Sequence, residues 1–348
     1  MVGGLIADIY RTEDRNGPMA LFSGAAVFGI GLGPLLAGYI AEYSTWRWIF
    51  WMQAIVNGSI VLLMLAFVAE SRGHVVLKQV AARLERWEVK RKQRQKHGGD
   101  QHIHWTIREQ SPPLRTLMAT SIRRPFALLF QEPVVFVFSL WAAFSWSVLY
   151  ICLSVVPLVF ESIYGFSLSQ ANAVFAASCA GSVIATFIAV FQEPFARRRS
   201  LLPAKPKGRL YFCCVEGWLL PIGLLLFGWT CRPSIHWIVP AVGVGTATAG
   251  IVFVYLAVFN FLADGYGPYA SSAIAAQSFC RNLLGGTMPL FSQQMYRAMT
   301  YGGASSLLAG IAAVLCIAPI VLVFKGDIIR AKSKFTSSDR EKGGEGGE

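Results

Sequence analysis

Charge is scarce in this sequence. Asp, Glu, Lys and Arg make up 14% of its 348 residues, against about 25% in ordinary soluble domains. Only 19 residues are acidic and 5 are histidine. So few charges cannot cover the surface of a soluble fold of this length. A hydrophobic content of 54% and a mean hydropathy of +0.49 exclude a disordered chain as well. Catalytic and cofactor motifs are also missing. No Gly-x-x-x-x-Gly-Lys-Ser/Thr loop is present, so no ATP-driven pump is implied, and there is no His-Glu-x-x-His. His97, His102 and His104 share a hydrophilic stretch with Asp100 and read as solvated rather than as metal ligands. The seven cysteines, Cys152, Cys179, Cys213, Cys214, Cys231, Cys280 and Cys316, lie in or at the ends of apolar runs. Their odd number and scatter exclude a disulfide framework and a zinc site and leave small apolar packing residues. No enzyme activity, cofactor or metal is expected. The apolar stretch at residues 1–6 is too short for a signal peptide. The sequon Asn57-Gly58-Ser59 sits inside an apolar run, where glycosylation is not expected.

What is present is a series of long apolar runs. A membrane-spanning helix needs about 20 mostly apolar residues, and only closed hydrogen bonding survives in hydrocarbon. Eight runs qualify, at about residues 19–41, 48–69, 133–160, 170–191, 210–231, 235–262, 269–291 and 304–324. The fold class is therefore all-α integral membrane. The net charge of +12 is unevenly spread. Residues 70–132 hold thirteen basic and six acidic side chains, a net +7. Arg11, Arg15, Arg197, Arg198, Arg199, Lys205, Lys207, Arg209, Lys325, Arg330, Lys332 and Lys334 fall on the same side of the spans, and only Arg47, Arg232 and Arg297 on the other. Basic residues gathered in alternate loops mark the cytoplasmic side. Both termini and the long loop are placed there, with membrane lipid rather than nucleic acid as the surrounding partner. Within that loop Val76, Val80, Leu84 and Trp87 recur at helical spacing among Lys78, Arg83, Arg86, Lys90 and Arg91. The pattern predicts a basic amphipathic helix on the inner leaflet or against the bundle. The polar, Gly-rich stretch 333–348 is expected to be disordered.

The first span carries Gly29-Ile30-Gly31-Leu32-Gly33-Pro34-Leu35-Leu36-Ala37-Gly38. Small residues let a neighbouring helix approach closely, and a proline removes one backbone donor and bends the helix. Read blandly this is a packing stripe. The set Gly29, Gly33, Pro34 and Gly38 also resembles the fifth-helix motif of major facilitator superfamily antiporters, with Ala37 in place of a usual glycine. Further matches follow in order. Gly3-Gly4-Leu5-Ile6-Ala7-Asp8 with Glu13, Arg15 and Gly17 resembles the loop between helices four and five. Glu70-Ser71-Arg72 resembles the end of helix six, residues 128–133 (LLFQEP) the start of helix seven, and Arg209-Leu210-Tyr211 with Pro221-Ile222-Gly223-Leu224 helix nine. His236-Trp237-Ile238-Val239-Pro240 resembles helix ten, and residues 269–276 with Arg281 and Pro289-Leu290-Phe291 helix eleven. The whole is similar to the fungal twelve-span drug:proton antiporters, including the polyamine exporter branch.

That resemblance implies a major facilitator helix bundle that is incomplete, with about eight transmembrane helices equivalent to helices five to twelve. Residues 1–69 would be a remnant of the N-terminal half and 70–132 the basic central loop. Residues 133–325 would be the six-helix C-terminal half and 326–348 the tail. It implies proton-coupled export of small organic molecules (drugs, polyamines or secondary metabolites) at the plasma membrane by alternating access. The partners would be a small-molecule substrate and protons, with the missing N-terminal helices or another membrane protein completing the bundle. A non-transporting remnant or a membrane interaction protein is the alternative.

Ionisable residues inside spans are functional candidates, because burying charge in lipid is costly. Arg281 lies near mid-span before Gly285-Gly286 and suits either an anionic group in a cavity or a structural pairing. Glu216 lies about two turns into its span, as a proton carrier or as a side chain reaching back to the interface. Asn260 and Asp264 occur in Asn260-Phe261-Leu262-Ala263-Asp264-Gly265-Tyr266, which resembles the family's helix-ten ending. Asp264 suits a charge relay at an inner gate or a helix-end cap. Trp141, Phe144, Trp146 and Tyr150 form an aromatic run. Trp141 and Tyr150 are candidates to stack on substrate, with packing as the alternative for each. Pro157, Pro221 and Pro240 are expected to bend their helices.

Overall fold

The computed structural model describes residue 6 and residues 9–10, 14–67, 77, 79–84, 86–87, 114–198 and 207–331. Among these every regular element is helical. The helices are α1 (Asn16–Tyr43), α2 (Arg47–Phe67), α3 (Leu114–Gln131), α4 (Pro133–Tyr164), α5 (Leu168–Ala173), α6 (Phe175–Arg198) and α7 (Lys207–Glu216). They continue with α8 (Leu219–Thr230), α9 (Ile238–Gly265), α10 (Ala270–Thr287), α11 (Pro289–Leu315) and α12 (Ile317–Ala331). The chain forms two compact units, one of Met1–Trp46 with Thr120–Glu348, the other of Arg47–Ala119.

Seven stretches among the described residues are long and apolar enough to cross a membrane, where the apolar runs predicted eight. The difference has two causes. Helix α10 carries Ser271, Ser272, Gln277, Ser278, Arg281 and Asn282, which lower its hydropathy. The stretch Pro289–Phe324, in turn, contains a break at Thr300, whose φ of 64° and ψ of 162° leave the helical region. Met288 keeps helical angles, so α10 runs on into residues 289–299. Beyond the break the Thr300 hydroxyl accepts from the Gly303 N–H at 3.4 Å and caps the new helix. Tyr296 and Ser305 hydrogen-bond across the break at 3.2 Å. The break at Thr300 thus separates the last two predicted runs, which the helical angles of Met288 and the apolar stretch beyond had merged.

Two expected spans are divided. The run at 170–191 begins with α5, whose N-terminus is closed by a Ser167–Gln170 capping box, and passes through Val174 into α6. The run at 210–231 breaks at Gly217–Trp218, because Pro221 has no N–H to give the Gly217 carbonyl. Pro157 lies inside α4. Pro240 falls in the first turn of α9 and starts that helix instead of bending it.

Helix α9 is the most enclosed span and packs on α1, α4, α6, α8 and α10. Its crossings with α8 and α6 are made through glycine. A Cβ at Gly243 would lie 2.7 Å from the Phe227 nitrogen, and one at Gly223 would lie 2.7 Å from the Gly243 carbonyl oxygen. Gly250 abuts the backbone of Leu219 and Leu220, and Gly181 of α6 meets Gly245 of α9. Ser178 and Thr248 hydrogen-bond beside that crossing at 2.8 Å. Helix α8 also meets the segment after Thr300, with Gly228 against Ser305 and the Trp229 indole donating to Ser306 at 3.0 Å.

In the second unit α2 has no buried residue, and Asn57 and Ser59 bond back to the carbonyls of Gln53 and Ile55. Residue 77, residues 79–84 and residues 86–87 are helical, and Leu77, Val80, Leu84 and Trp87 are exposed. Val76, Lys78, Lys90, Arg91, the three loop histidines and the C-terminal tail lie outside the described residues.

A side chain at a backbone crossing must push two helices apart. Gly243→Val is therefore expected to lower the thermal midpoint of the purified protein, at a cost of about 1–3 kcal/mol. Gly310 has nothing within 4 Å of an added Cβ. Gly310→Ala is expected to leave the midpoint unchanged or raise it by up to about 1 kcal/mol of stability.

Candidate functional site

The ionisable candidates of the first unit fall in three places. The first is a cationic and aromatic cluster between α4, α9 and α10. Arg281 donates from Nη1 to the Tyr255 hydroxyl at 2.5 Å. Its guanidinium carbon lies 4.5 Å from the centroid of the Trp146 ring and 5.3 Å from that of Tyr255. The rings of Trp146 and Tyr255 stand 4.7 Å apart, Tyr255 and Phe259 4.5 Å, and Phe22 of α1 reaches Tyr255 at 6.5 Å and Phe259 at 6.0 Å. Gly285, one turn beyond Arg281, sets the approach of α10 to α4. A Cβ there would lie 3.0 Å from the Tyr150 ring and 3.5 Å from Trp146. Trp146 and Tyr255 are buried, and Tyr150 and Arg281 half-buried. The Arg281 Nε and the Gln277 Nε2 are enclosed without a hydrogen-bond partner among the described residues.

The second place is the start of α1. Arg15 and Asp264 form an ion pair at 2.8 Å, with side chains 10% and 6% exposed. Next to it Asn260 donates to the Asn16 side chain at 2.8 Å, and Asn16 donates to the Ala189 carbonyl at 3.1 Å. Three segments far apart in sequence are thus tied together at one end of α1. At its other end the Glu42 carboxylate accepts from the Ser169 N–H at 2.5 Å. Between these ends α1 runs antiparallel to α5 and α6 along a stripe of glycines seven residues apart. Gly24 faces Thr186, Gly31 faces Ser178 and Cys179, and Gly38 faces Asn172.

The third place is the α6–α7 contact, where Gln192 donates to Glu216 at 3.5 Å and Glu216 is half-buried.

The structure packs Arg281 on Trp146 and sets Tyr150 against Gly285, one turn beyond Arg281, whereas Trp141 has other neighbours. That indole is buried against Gly217 and close to Phe138, on the side of Cys316. Asn260 and Asp264 share a cluster, and neither stands alone as a helix-end cap. Of the quartet Gly29, Gly33, Pro34 and Gly38, only Gly38 lies in a tight crossing. Gly29 and Gly33 are exposed, with nothing within 4 Å of an added Cβ. Gly24 and Gly31 complete the packed face, and their spacing with Gly38 is the signal that identifies them. Tyr255 and Asn16 have no sequence signal, since their partners are remote in the chain.

Two outcomes follow. Asp264→Asn removes the buried 2.8 Å ion pair to Arg15, so a loss of about 3 kcal/mol is expected on unfolding. Removing both charges, in Arg15→Gln with Asp264→Asn, is expected to cost less than the two single changes added. On α1, Gly31→Leu is expected to lower the thermal midpoint, and Gly33→Ala to change stability by no more than about 0.5 kcal/mol.

A family model for the Major Facilitator Superfamily matches residues 1–289. The transporter paaT of Penicillium rubens is 34% identical over 347 residues, a match covering 98% of this chain and 61% of paaT. The efflux pump FUBT of Fusarium oxysporum is 31% identical, covering 96% of this chain and 55% of the pump, and the efflux pump radE of Floropilus chiversii is 32% identical, covering 96% and 61%. The proton:xylose symporter XylE, solved with bound 6-bromo-6-deoxy-D-glucose, shares the fold with a TM-score of 0.57 at 17% identity, over 92% of this chain and 66% of that one. The chain spans a little over half the length of the curated relatives it matches. It is a multi-pass membrane protein, and it belongs to the major facilitator superfamily.

Proposed function

We propose that the chain takes part in proton-coupled export of small organic molecules by alternating access, at the plasma membrane and with its basic loops on the cytoplasmic side. The observation that carries this reading is the fastening of α1 at both ends. The Arg15–Asp264 ion pair closes one end and the Glu42–Ser169 hydrogen bond the other. In a rocking mechanism one of the two must open while the other holds. Residues 1–69 would supply part of the N-terminal half and residues 133–325 the C-terminal half. The Arg281 cluster would stand on the route between the two fastenings. Glu216 would be a proton carrier and Gly29, Gly33 and Pro34 of α1 a gating segment. The Arg15 end is assigned to the cytoplasm because Arg123 and Arg124 precede α4 and Lys207 and Arg209 open α7, while Arg232 and Arg297 lie towards the other end. Membership of the superfamily and the efflux pumps among the relatives support the same reading.

The direct test is export of labelled organic compounds from vesicles holding the purified protein, with and without an imposed proton gradient. Gradient-dependent export is expected. A folded protein that exports nothing would favour a membrane interaction role. Access is tested with a single reporter, Tyr150→Cys in a background free of native cysteines, labelled with an impermeant maleimide from either side. Asp264→Asn is expected to raise labelling from the Arg15 side and Glu42→Ala from the opposite side. Unchanged labelling in both variants would count against alternating access.

A further inference from the structure

Two arginines of the first unit are enclosed by helices, and their surroundings differ. Arg15 has Asp264. Arg281 has no acidic partner among the described residues; its contacts are the Tyr255 hydroxyl and the faces of Trp146 and Tyr255. An arginine side chain has five N–H donors and no acceptor. Here one nitrogen, Nη1, is engaged, and Nε is shut away from solvent with nothing to donate to. Gln277, one turn earlier on the same face of α10, is fully buried and its Nε2 is likewise unpartnered. Buried polar groups in proteins are nearly always paired. Two enclosed donor groups one turn apart, one of them cationic, form a site that lacks its acceptor. The rings are held in place, since Gly285 lets Trp146 and Tyr150 lie against α10, and Phe22 and Phe259 extend the aromatic wall from Tyr255.

We propose that Arg281 and Gln277 bind the acidic group of an organic anion whose flat, conjugated ring packs on the wall of Trp146, Tyr255 and Phe22. The substrate class is aromatic or conjugated carboxylates. A carboxylate has two acceptor oxygens, which suits the planar donor fork of arginine. Tyr255 fixes one side of the guanidinium and leaves Nε and Nη2 for the ligand. The rings accept the flat part of the molecule without hydrogen bonding to it. This inference rests on the transport reading for its word substrate, but the binding site itself does not.

The probes are radiolabelled 2-naphthoate, its neutral amide and the cationic naphthylmethylamine, measured by equilibrium dialysis against the purified full chain in lipid nanodiscs. The carboxylate is expected to bind more tightly than the amide by about tenfold or more, the range of a charge-assisted hydrogen bond. The amine is expected to bind most weakly. Arg281→Gln should abolish the preference for carboxylate over amide. Arg281→Lys keeps the charge but not the fork, and should retain a reduced preference. Thermal melting of each variant establishes that it is folded. Equal binding of carboxylate and amide by the unaltered protein, or a preference that survives Arg281→Gln, would overturn the proposal. Export of neutral compounds from vesicles together with equal binding would leave transport standing and remove the substrate class. An Arg281-dependent preference in vesicles that export nothing would keep the site and remove transport.

Discussion

Helices in lipid gain little by hiding apolar side chains from a solvent that is itself apolar. They are held by how closely their backbones approach and by polar groups that cannot be left bare. That constraint organises the larger unit around α9. Gly243 and Gly250 of α9 let α8 lie on its backbone, and Gly245 meets Gly181 of α6. Each crossing removes side chains from the interface, so larger residues are displaced to either side of it. Tyr255 and Phe259 of α9 lie beyond these crossings, where α1 and α4 come alongside. The ring cluster is thus a product of the glycine packing as much as of its own contacts.

Helix α1 shows how the same constraint serves a moving part. Its packed face meets α5 and α6 through Gly24, Gly31 and Gly38, so it sits close at those three points. The polar fastenings are confined to its two ends, Arg15 and Asn16 at one and Glu42 at the other. Small-residue faces slide or rock at low cost, whereas the end contacts are made or broken as units. A buried ion pair contributes modestly when complete and costs about 3–5 kcal/mol when one partner is removed. Such a contact holds a conformation firmly and gives way only when something replaces it.

Much of this was legible in the sequence. The apolar runs located the spans, because hydrocarbon leaves no other way to satisfy the backbone. The major facilitator resemblance supplied the kinship and the order of helices. Arg281 and Asp264 stood out as charges in apolar surroundings. What sequence could not supply were pairings across long separations, such as Arg15 with Asp264, 249 residues apart, and Arg281 with Tyr255. The break between the last two runs was legible as residues 292–303, but its place at Thr300 was not, because the residue of positive φ is a threonine beside glycines at 302 and 303. In α1 the motif drew attention to Gly29 and Gly33, which are exposed, and away from the heptad Gly24, Gly31 and Gly38 that packs. A motif marks positions; which face of a helix meets a neighbour depends on the neighbour.

The contrast between the arginines has an energetic reading. An arginine at the centre of a membrane helix costs roughly 2.5–3.5 kcal/mol on insertion scales. Arg281 lies about 16 Å along its helix from Ala270, at 1.5 Å per residue, too far in to reach water along the helix surface without leaving the rings. One desolvated cation–π contact offsets about 2 kcal/mol, and a hydrogen bond to Tyr255 offsets about 1 kcal/mol more. Rings and hydroxyl together therefore come close to balancing the burial without any counter-charge. An internal carboxylate, as at Arg15, would supply the guanidinium with a counter-charge. The aromatic solution keeps the cation in place without a counter-charge, which leaves its positive charge open to an anion from outside the chain.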